Sequence, residues 1–246
     1  MVESSSDLID TFESAIDYFG DPSSEDYRLY AEVALSSIKL SNLSCLAIPG
    51  STLNASGSSL GNRLNDSHIL ILTRGIITAG IQLETLSLSN HLISDKGFEL
   101  ICRDIVCGLK RSQQLHHLNL EGNNISGSSL SELCLPSEEC SLISLNLSHN
   151  ALTLSAGMTI ADALRTNRTL QNIELNNCGF ELNVIIAFGT TLRQNSSLKT
   201  LNLDRPLTDK MTTQEEGVDH ISRLLGSPNS CTYFLYCKKS RKSKNS

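Results

Sequence analysis

The chain has 246 residues, no tryptophan and 4% aromatic residues, so its core must be built mainly from aliphatic side chains. Its formal net charge of −6 argues against nucleic acid as the main partner, because neutralising phosphates requires clustered Lys and Arg. The opening stretch MVESSSDLID carries acids where a secretory signal carries bases, and no apolar run is long enough to span a membrane. We therefore expect a protein of the cytoplasm, the nucleus or both, with no membrane partner.

Residues 1–40 are typical of two helices. They comprise DLIDTFESAIDYF and SSEDYRLYAEVALSSI, which Asp21-Pro22 would separate. Such helices can cover the open apolar end of a repeated structure. We therefore assign residues 1–40 as a helical N-terminal cap.

A motif of the form L-x-x-L-x-L-x-x-(N/C)-x-(L/I) then recurs along the chain. It begins at Leu83, Leu115, Leu142, Leu170 and Leu198, with successive starts 32, 27, 28 and 28 residues apart. Degenerate copies begin at Leu43 and Cys231. A period near 28 leaves room for a helix after each strand. The sequence therefore predicts an α/β leucine-rich repeat solenoid, or horseshoe, with a parallel inner sheet and outer helices over residues 41–237.

The apolar positions of the motif predict the buried side of the sheet. The central row, which we expect to be buried as one ladder, is Leu86, Leu118, Leu145, Ile173 and Leu201. An Asn or Cys follows each strand and is expected to bond the backbone of the turn. This position holds His91, Asn123, Asn150 and Cys178. Asn167 and Asn195 stand at helix exits, where asparagine tolerates a left-handed backbone.

The intervening positions predict an exposed, concave side of the sheet. Their side chains are mainly amides, hydroxyls and carboxylates with few lysines, which suits a basic or hydrogen-bonding protein surface. The predicted partner-binding residues are His117, Asn119, Glu121, Asn146, Ser148, Asn172, Glu174, Asn176, Asn202 and Asp204. The alternative is that these polar side chains only solvate an exposed sheet.

The histidines do not predict a metal site. His116 and His117 are adjacent, so on a strand they point to opposite sides, which is poor geometry for two ligands of one metal. His149 stands at a strand end and could approach a neighbouring acid, as many surface histidines do.

The eight cysteines predict reduced thiols. No CxxC pair occurs. Cys102 and Cys107 stand five residues apart, a spacing that does not place them on one face of an α-helix. A disulfide between Cys134 and Cys140 is disfavoured in a reducing compartment. We expect no metal and no cofactor.

The final residues 238–246, KKSRKSKNS, reverse the charge of the preceding chain. Basic terminal runs are commonly solvated, so we expect a disordered tail after the repeat domain. Lys238-Lys239-Ser240-Arg241 also fits the short basic pattern of nuclear import signals.

The repeats resemble the ribonuclease-inhibitor type of leucine-rich repeat, a family that includes ribonuclease inhibitor, Ran GTPase-activating protein, tropomodulin and the repeat domains of NOD-like receptors. LNLDRP at 201–206, followed by Gln214-Glu215-Glu216, carries a narrower resemblance to one member of this class. The resemblance implies a parallel inner sheet, an outer row of helices and protein binding. No GxxxxGK(S/T) motif occurs, and no GxSxG or HExxH motif stands in a sequence context that supports chemistry.

Three functions follow as hypotheses. The first is a monomeric, non-enzymatic scaffold that binds a protein partner, with a basic surface, on the concave face. The second is a regulator of a small GTPase, in the manner of Ran GTPase-activating protein. The third is a nucleic-acid-associated factor acting through the basic tail, which the acidic body of the chain disfavours.

Overall fold

The computed structural model describes residues 44–48, 50, 63–78, 81, 83–107, 115–130, 141–203 and 232–234. The predicted cap over 1–40 and the predicted tail over 238–246 lie outside these residues. Cys134, Cys140 and Asp204 also lie outside them.

Seven short strands form one parallel sheet, and their order in the sheet is their order in the chain. The strands are β1 (Cys45–Ala47), β2 (Thr85–Ser87), β3 (His117–Asn119), β4 (Ser144–Asn146), β5 (Asn172–Glu174), β6 (Thr200–Asn202) and β7 (Thr232–Phe234). Each strand therefore lies beside the preceding strand of the chain, as in a solenoid of stacked repeats. The predicted parallel α/β arrangement is confirmed, while the curvature of a horseshoe stays a prediction.

Helices connect the strands in most repeats. They are α1 (Asp66–Thr78), α2 (Asp95–Ile101), α3 (Leu154–Thr166) and α4 (Leu182–Leu192). Helix α1 packs against α2, and α3 packs against α4. After β3 the described segment 120–130 forms turns and contains no α-helix, so a helix directly after every strand is not found in this part of the chain. This repeat is the one whose motif spacing is shortest, at 27 residues.

Side-chain caps explain where two of the helices begin. Ser94 precedes α2, and its hydroxyl oxygen accepts a hydrogen bond from the Lys96 N–H. Thr153 precedes α3 and caps the Ala156 N–H in the same way. Each cap satisfies one backbone donor that has no partner inside the helix, so these hydroxyls define the helix starts.

The buried face of the sheet is a continuous apolar ladder, as predicted. The central row of side chains is 0–3% exposed, and parallel pairing aligns its members: Leu86, Leu118, Leu145, Ile173 and Leu201. Phe98 of α2, Ile160 of α3 and Phe188 of α4 are buried in the same core cluster. Burying such a side chain stabilises the fold by about 1.5–3 kcal/mol. The core therefore lies between the sheet and the helices and joins all described repeats.

The register of the two degenerate repeats differs from the prediction at one end only. At the N-terminal end Leu46 aligns with Leu86, as a repeat start at Leu43 requires. At the other end Tyr233 aligns with Leu201. A repeat start at Cys231 would place Phe234 there, so that prediction is wrong by one residue. A shift of one residue exchanges the two faces of a strand.

The residue after each strand ties neighbouring turns together, as predicted. The Asn150 amide donates to the Leu120 and Leu147 carbonyl oxygens at 2.9 and 3.0 Å, and its Oδ1 accepts from the Ile125 N–H at 3.1 Å. Asn123 makes the equivalent bonds one repeat earlier. An asparagine at this position therefore satisfies buried backbone groups of two successive repeats.

Histidine and cysteine fill the same position in two other repeats. The His91 Nδ1 accepts from the Leu64 N–H at 3.1 Å, so the proton is on Nε2, which donates to the Ile48 carbonyl oxygen at 2.8 Å. Burial lowers the pKa of His91 to about 4, so the ring is neutral near pH 7. Cys178 donates to the Leu147 carbonyl oxygen at 3.3 Å, and burial raises its pKa to about 12.

The helix-exit asparagines do not have the predicted left-handed backbone. Asn167 is extended, with φ −61° and ψ 134°, and its Oδ1 accepts from the Leu170 N–H at 2.8 Å. Asn195 makes the same kind of bond to the Leu198 N–H and donates to the Leu164 and Asn167 carbonyl oxygens at 2.6 and 3.1 Å. These residues turn the chain with the side-chain amide instead of with a positive φ.

The left-handed backbone occurs at the strand ends instead. Asn90, Gly122, His149 and Asn177 have φ values of 62°, 68°, 60° and 53°, and they occupy the same position of the motif. Left-handed backbone is uncommon for residues other than glycine, although asparagine and histidine adopt it more often than most. The side chain of His149 is therefore held at a strand end by an unusual backbone conformation.

Cys102 and Cys107, which follow β2, point in more similar directions than their five-residue spacing predicts for an α-helix. Helix α2 continues into a π-helical turn, Cys102–Val106, in which the Cys107 N–H bonds the Cys102 carbonyl oxygen at 2.8 Å. A bond to the fifth preceding residue brings residues five apart towards one face, so the predicted separation is wrong. Both side chains are thiols that pack at the core, Cys102 buried and Cys107 half-buried.

Candidate functional site

The open face of the sheet carries side chains that alternate with the buried ladder. We define this face by the ten outward residues of β2 to β6: Thr85, Ser87, His117, Asn119, Ser144, Asn146, Asn172, Glu174, Thr200 and Asn202. His117 is exposed and the other nine are partly exposed. Neighbouring strands lie about 4.8 Å apart, so these side chains form a regular lattice of polar groups.

Glu121 follows β3 and is the centre of a polar cluster at the edge of the open face. Its Oε2 accepts a hydrogen bond from the Asn146 Nδ2 at 3.2 Å. The His149 Nε2 lies 3.9 Å from the Glu121 Oε1. Asn177 donates from Nδ2 to the His149 Nδ1 at 3.3 Å, which leaves the ring proton on Nε2, facing the carboxylate. Four side chains from three successive repeats thus form one connected polar cluster.

Glu174 places a second carboxylate on the open face. Parallel pairing aligns it with Asn146 on one side and with Asn202 on the other. Among the described residues, no cation or hydrogen-bond donor contacts its side chain. Glu121 and Glu174 therefore flank Asn146 and concentrate negative charge at the middle of the described sheet.

Two asparagines of the open face also shape the backbone. Oδ1 of Asn119 accepts from the Glu121 N–H at 3.0 Å, and Oδ1 of Asn146 accepts from the Ser148 N–H at 2.9 Å. Each bond spans two residues and turns the chain at the end of a strand. The amide nitrogen of Asn146 also donates to Glu121.

Ser148 does not belong to the exposed surface as predicted. It is 2% exposed, and its hydroxyl oxygen accepts a hydrogen bond from the Asn176 N–H at 3.1 Å. A short side chain at this position lies beneath the next turn of the solenoid, so its hydroxyl is not available to a partner. The prediction of an exposed Ser148 is therefore wrong.

The remaining predicted residues lie on or beside the open face, except for one. His117, Asn172 and Asn202 are on its strands, and the partly exposed Asn176 follows β5. Asp204 lies outside the described residues. Whether any of them binds a partner stays a prediction.

The expectation that His149 could approach a neighbouring acid is confirmed by its contact with Glu121. His149 and Asn177 are nevertheless missing from the predicted partner-binding set. Both residues have left-handed backbones; the His149 side chain lies beside Glu121, and the Asn177 side chain bonds His149. Both are the eighth residue of the motif, 28 residues apart, so a search of that position for residues close to a carboxylate could have found them. The signal is weak because the motif does not specify the eighth residue.

The described residues offer no other recognisable chemistry. Within them no three His, Cys, Asp or Glu side chains are grouped closely enough to hold a metal ion. None of the described helices is both long and apolar enough to cross a membrane. The polar open face is therefore the candidate site.

No protein-family model matches the chain. The chain is 29% identical over 210 residues to capping protein, Arp2/3 and myosin-I linker protein 3 of Homo sapiens, covering 79% of this chain and 15% of that protein. Ribonuclease inhibitor of Sus scrofa is 28% identical over 170 residues, covering 68% and 35%. NACHT, LRR and PYD domains-containing protein 4C of Mus musculus is 26% identical over 157 residues, covering 63% and 14%.

These similarities support a leucine-rich repeat protein of the ribonuclease-inhibitor-like kind, at low sequence identity. The alignments span only 14–35% of the three relatives' own lengths. The similarity therefore concerns a repeat region and not those whole proteins.

Proposed function

We propose that this leucine-rich repeat chain is a non-enzymatic scaffold that holds a protein partner on the open face of its sheet. The main support is the pair of carboxylates, Glu121 and Glu174, that flank Asn146 on a rigid lattice of strands. A rigid polar lattice loses little conformational entropy on binding. Fixed carboxylates also favour partners that present Lys or Arg.

The charges around the face support a basic partner surface. Lys199 stands directly before β6, and its Nζ bonds the Gln171 Oε1 at 2.6 Å, just before β5. The two carboxylates therefore dominate the centre of the face. Association with a basic surface should weaken as salt rises, because ions screen exposed charges.

Two of the similar proteins are named for contacts with other proteins. One is a linker of capping protein, Arp2/3 and myosin-I, and the other is an inhibitor of ribonuclease. These names support a scaffold by analogy only, since function depends on the site and not on the fold. They do not identify the partner of this chain.

The finer sequence predictions remain part of this proposal. The chain would act as a monomer in the cytoplasm, the nucleus or both, and residues 238–241 would serve as an import signal. A narrower relationship to leucine-rich repeat-containing protein 34 would be carried by residues 201–216, most of which lie outside the described residues. Regulation of a small GTPase stays an alternative prediction that no contact described above favours.

The test of the scaffold is affinity purification with the intact chain and with the double variant Glu174→Lys, Asp204→Lys. We expect the double variant to lose the partner while its circular dichroism stays native. The matched control is Glu181→Lys, which reverses an exposed acid at the start of α4, away from the open face. Retention of every partner by the double variant, with loss on altering the outer helices, would contradict the proposal.

A further inference from the structure

The chain contains a basic segment whose charge complements the open face. Five of the seven residues from Lys238 to Lys244 are Lys or Arg, and they follow the end of β7 at Phe234 by only a few positions. We propose that residues 238–244 lie on the open face of their own chain, across Glu174 and Glu121, and compete there with a basic partner. Docking of this segment presupposes the proposed function of the face.

The pairing of β5, β6 and β7 aligns the end of β7 with Glu174. Phe234 aligns with Asn202, and Asn202 aligns with Glu174. The chain therefore leaves β7 level with the Glu174 carboxylate, two strands away. Glu121 follows β3 in the same strand direction, so a segment that continued from Phe234 in that direction would reach the level of Glu121.

The reach of the segment is sufficient. Two strand spacings, from β7 to β5, are about 10 Å, and four spacings, from β7 to β3, are about 19 Å. Four extended residues, from Phe234 to Lys238, span up to about 13 Å, and ten residues, to Lys244, span up to about 33 Å. Lys238 can therefore reach Glu174, and the later cations can reach Glu121.

Two acids on the described helical side are already paired, and the exposed Glu99 and Glu181 there stand on separate helices. On that side Asp104 pairs with Arg103 at 2.8 Å, and Asp162 pairs with Arg165 at 3.4 Å. The open face instead places two carboxylates on either side of Asn146. On the open face the Glu174 carboxylate contacts no cation among the described residues. A flexible basic segment gains more where a carboxylate is not already neutralised.

Attachment to the same chain makes the segment an effective competitor. A short flexible connection gives an effective concentration on the order of millimolar. If the free segment binds the bare face with a Kd of about 100 μM, its attachment weakens the binding of any competing basic partner about tenfold. Partners with several basic contacts could displace it, so the segment would select against weak, non-specific basic ligands.

The first experiment asks whether the contact exists in the full chain. Carbodiimide treatment joins a carboxylate to a lysine only when they touch, and mass spectrometry maps the product. We expect links from Glu174 or Glu121 to lysines of 238–244 in the monomer fraction, and their loss at high salt. Links found only between two chains, or only to acids elsewhere, would overturn the proposal.

The second experiment measures competition with a defined probe. A fluorescein-labelled peptide of sequence KKSRKSKNS is titrated against the full chain and against a full-length variant carrying K238Q, K239Q, R241Q, K242Q and K244Q. We expect the neutralised variant to bind the peptide about tenfold more tightly, because its own segment no longer occupies the face. Equal binding to both would overturn the docking while leaving a basic partner possible.

Two further variants separate the inference from the proposed function. In the neutralised chain, Glu174→Gln should weaken binding of the peptide severalfold, and the control Glu181→Gln should leave it unchanged. If the peptide binds neither full-length chain, the face does not accept basic ligands, and both the basic partner and the docked segment are refuted. Because each variant is full-length, its fold can be compared directly by circular dichroism.

Discussion

The two faces of the same sheet follow opposite rules. On the buried face, β2 to β6 present Leu, Leu, Leu, Ile and Leu in one aligned row. On the open face, the next residue of each strand is Ser, Asn, Asn, Glu and Asn. Repetition is required where layers must pack at the same spacing, whereas a solvated side chain has no neighbour of fixed size. The fold therefore depends on the regular apolar side chains of the buried face. Recognition can depend on the side chains of the open face, which differ from repeat to repeat.

The largest expected effect is on the buried face at its centre. Leu145 is fully buried between Leu118 and Ile173, so Leu145→Ala should lower the free energy of unfolding by about 2–5 kcal/mol through lost burial and a residual cavity. Urea unfolding followed by circular dichroism measures it. If even Leu145→Asp melted at the temperature of the parent chain, the division into two faces would be wrong.

The next largest effect is expected at His91, a buried polar side chain at the turn after β2. His91 has a pKa of about 4 when folded and about 6.5 when unfolded, so the unfolded chain binds the extra proton between these values. The contribution of neutral His91 to the free energy of unfolding is therefore fully present above pH 6.5. It falls by about 3 kcal/mol as the pH falls towards 4.

The measurement for His91 is the difference in unfolding free energy between the parent chain and His91→Asn across this pH range. Asparagine fills the equivalent position at Asn123 and Asn150 and does not titrate. The difference between the two chains should therefore shrink or reverse on acidification. A difference independent of pH would show that His91 is not held neutral by burial.

A smaller loss is expected at a helix exit. Asn195 is 2% exposed and bonds the Leu164 and Asn167 carbonyl oxygens of the preceding repeat. Asn195→Ala leaves these groups without that donor and should destabilise the chain by about 1–3 kcal/mol. The neighbouring Gln194 is exposed and provides the control Gln194→Ala, for which thermal unfolding should be unchanged.

The smallest effect is expected on the open face. Glu174→Lys changes a partly exposed side chain with no ion pair among the described residues, so its free energy of unfolding should stay within about 0.5 kcal/mol of the parent value. Differential scanning calorimetry measures this. A loss as large as that of Leu145→Ala would show that the open face also holds the fold together.

Much of the fold could be predicted from the leucines because their spacing fixes the register. Leu46 pairs with Leu86 although the two repeats start 40 residues apart, since both motifs retain the leucine in the fourth position. At β7 the fourth position holds no leucine, and the predicted start at Cys231 comes from the helix-exit spacing. Leu235, which follows Tyr233 by two positions as Leu203 follows Leu201, was the signal for the observed register.

The site was less predictable because it depends on local backbone geometry. The amide of Asn167 can support either a left-handed residue or a side-chain turn, and its sequence neighbours do not distinguish the two. The burial of Ser148 depends on the Asn176 N–H, which lies in the next repeat. The contact between His149 and Glu121 requires a positive φ at His149 that histidine rarely adopts.

The left-handed strand ends also bear on how this surface can evolve. The same turn is formed with glycine at Gly122 and with larger side chains at Asn90, His149 and Asn177. At His149 glycine would relieve left-handed strain of about 1–2 kcal/mol and add unfolded-state freedom of about 0.5–1 kcal/mol, so the net change is between about zero and 1.5 kcal/mol in favour of glycine. Exchange is costlier at Gly122, where a Cβ would clash with the Asn90 Oδ1. At His149 a lineage could therefore change the residue that meets a partner without first gaining spare stability.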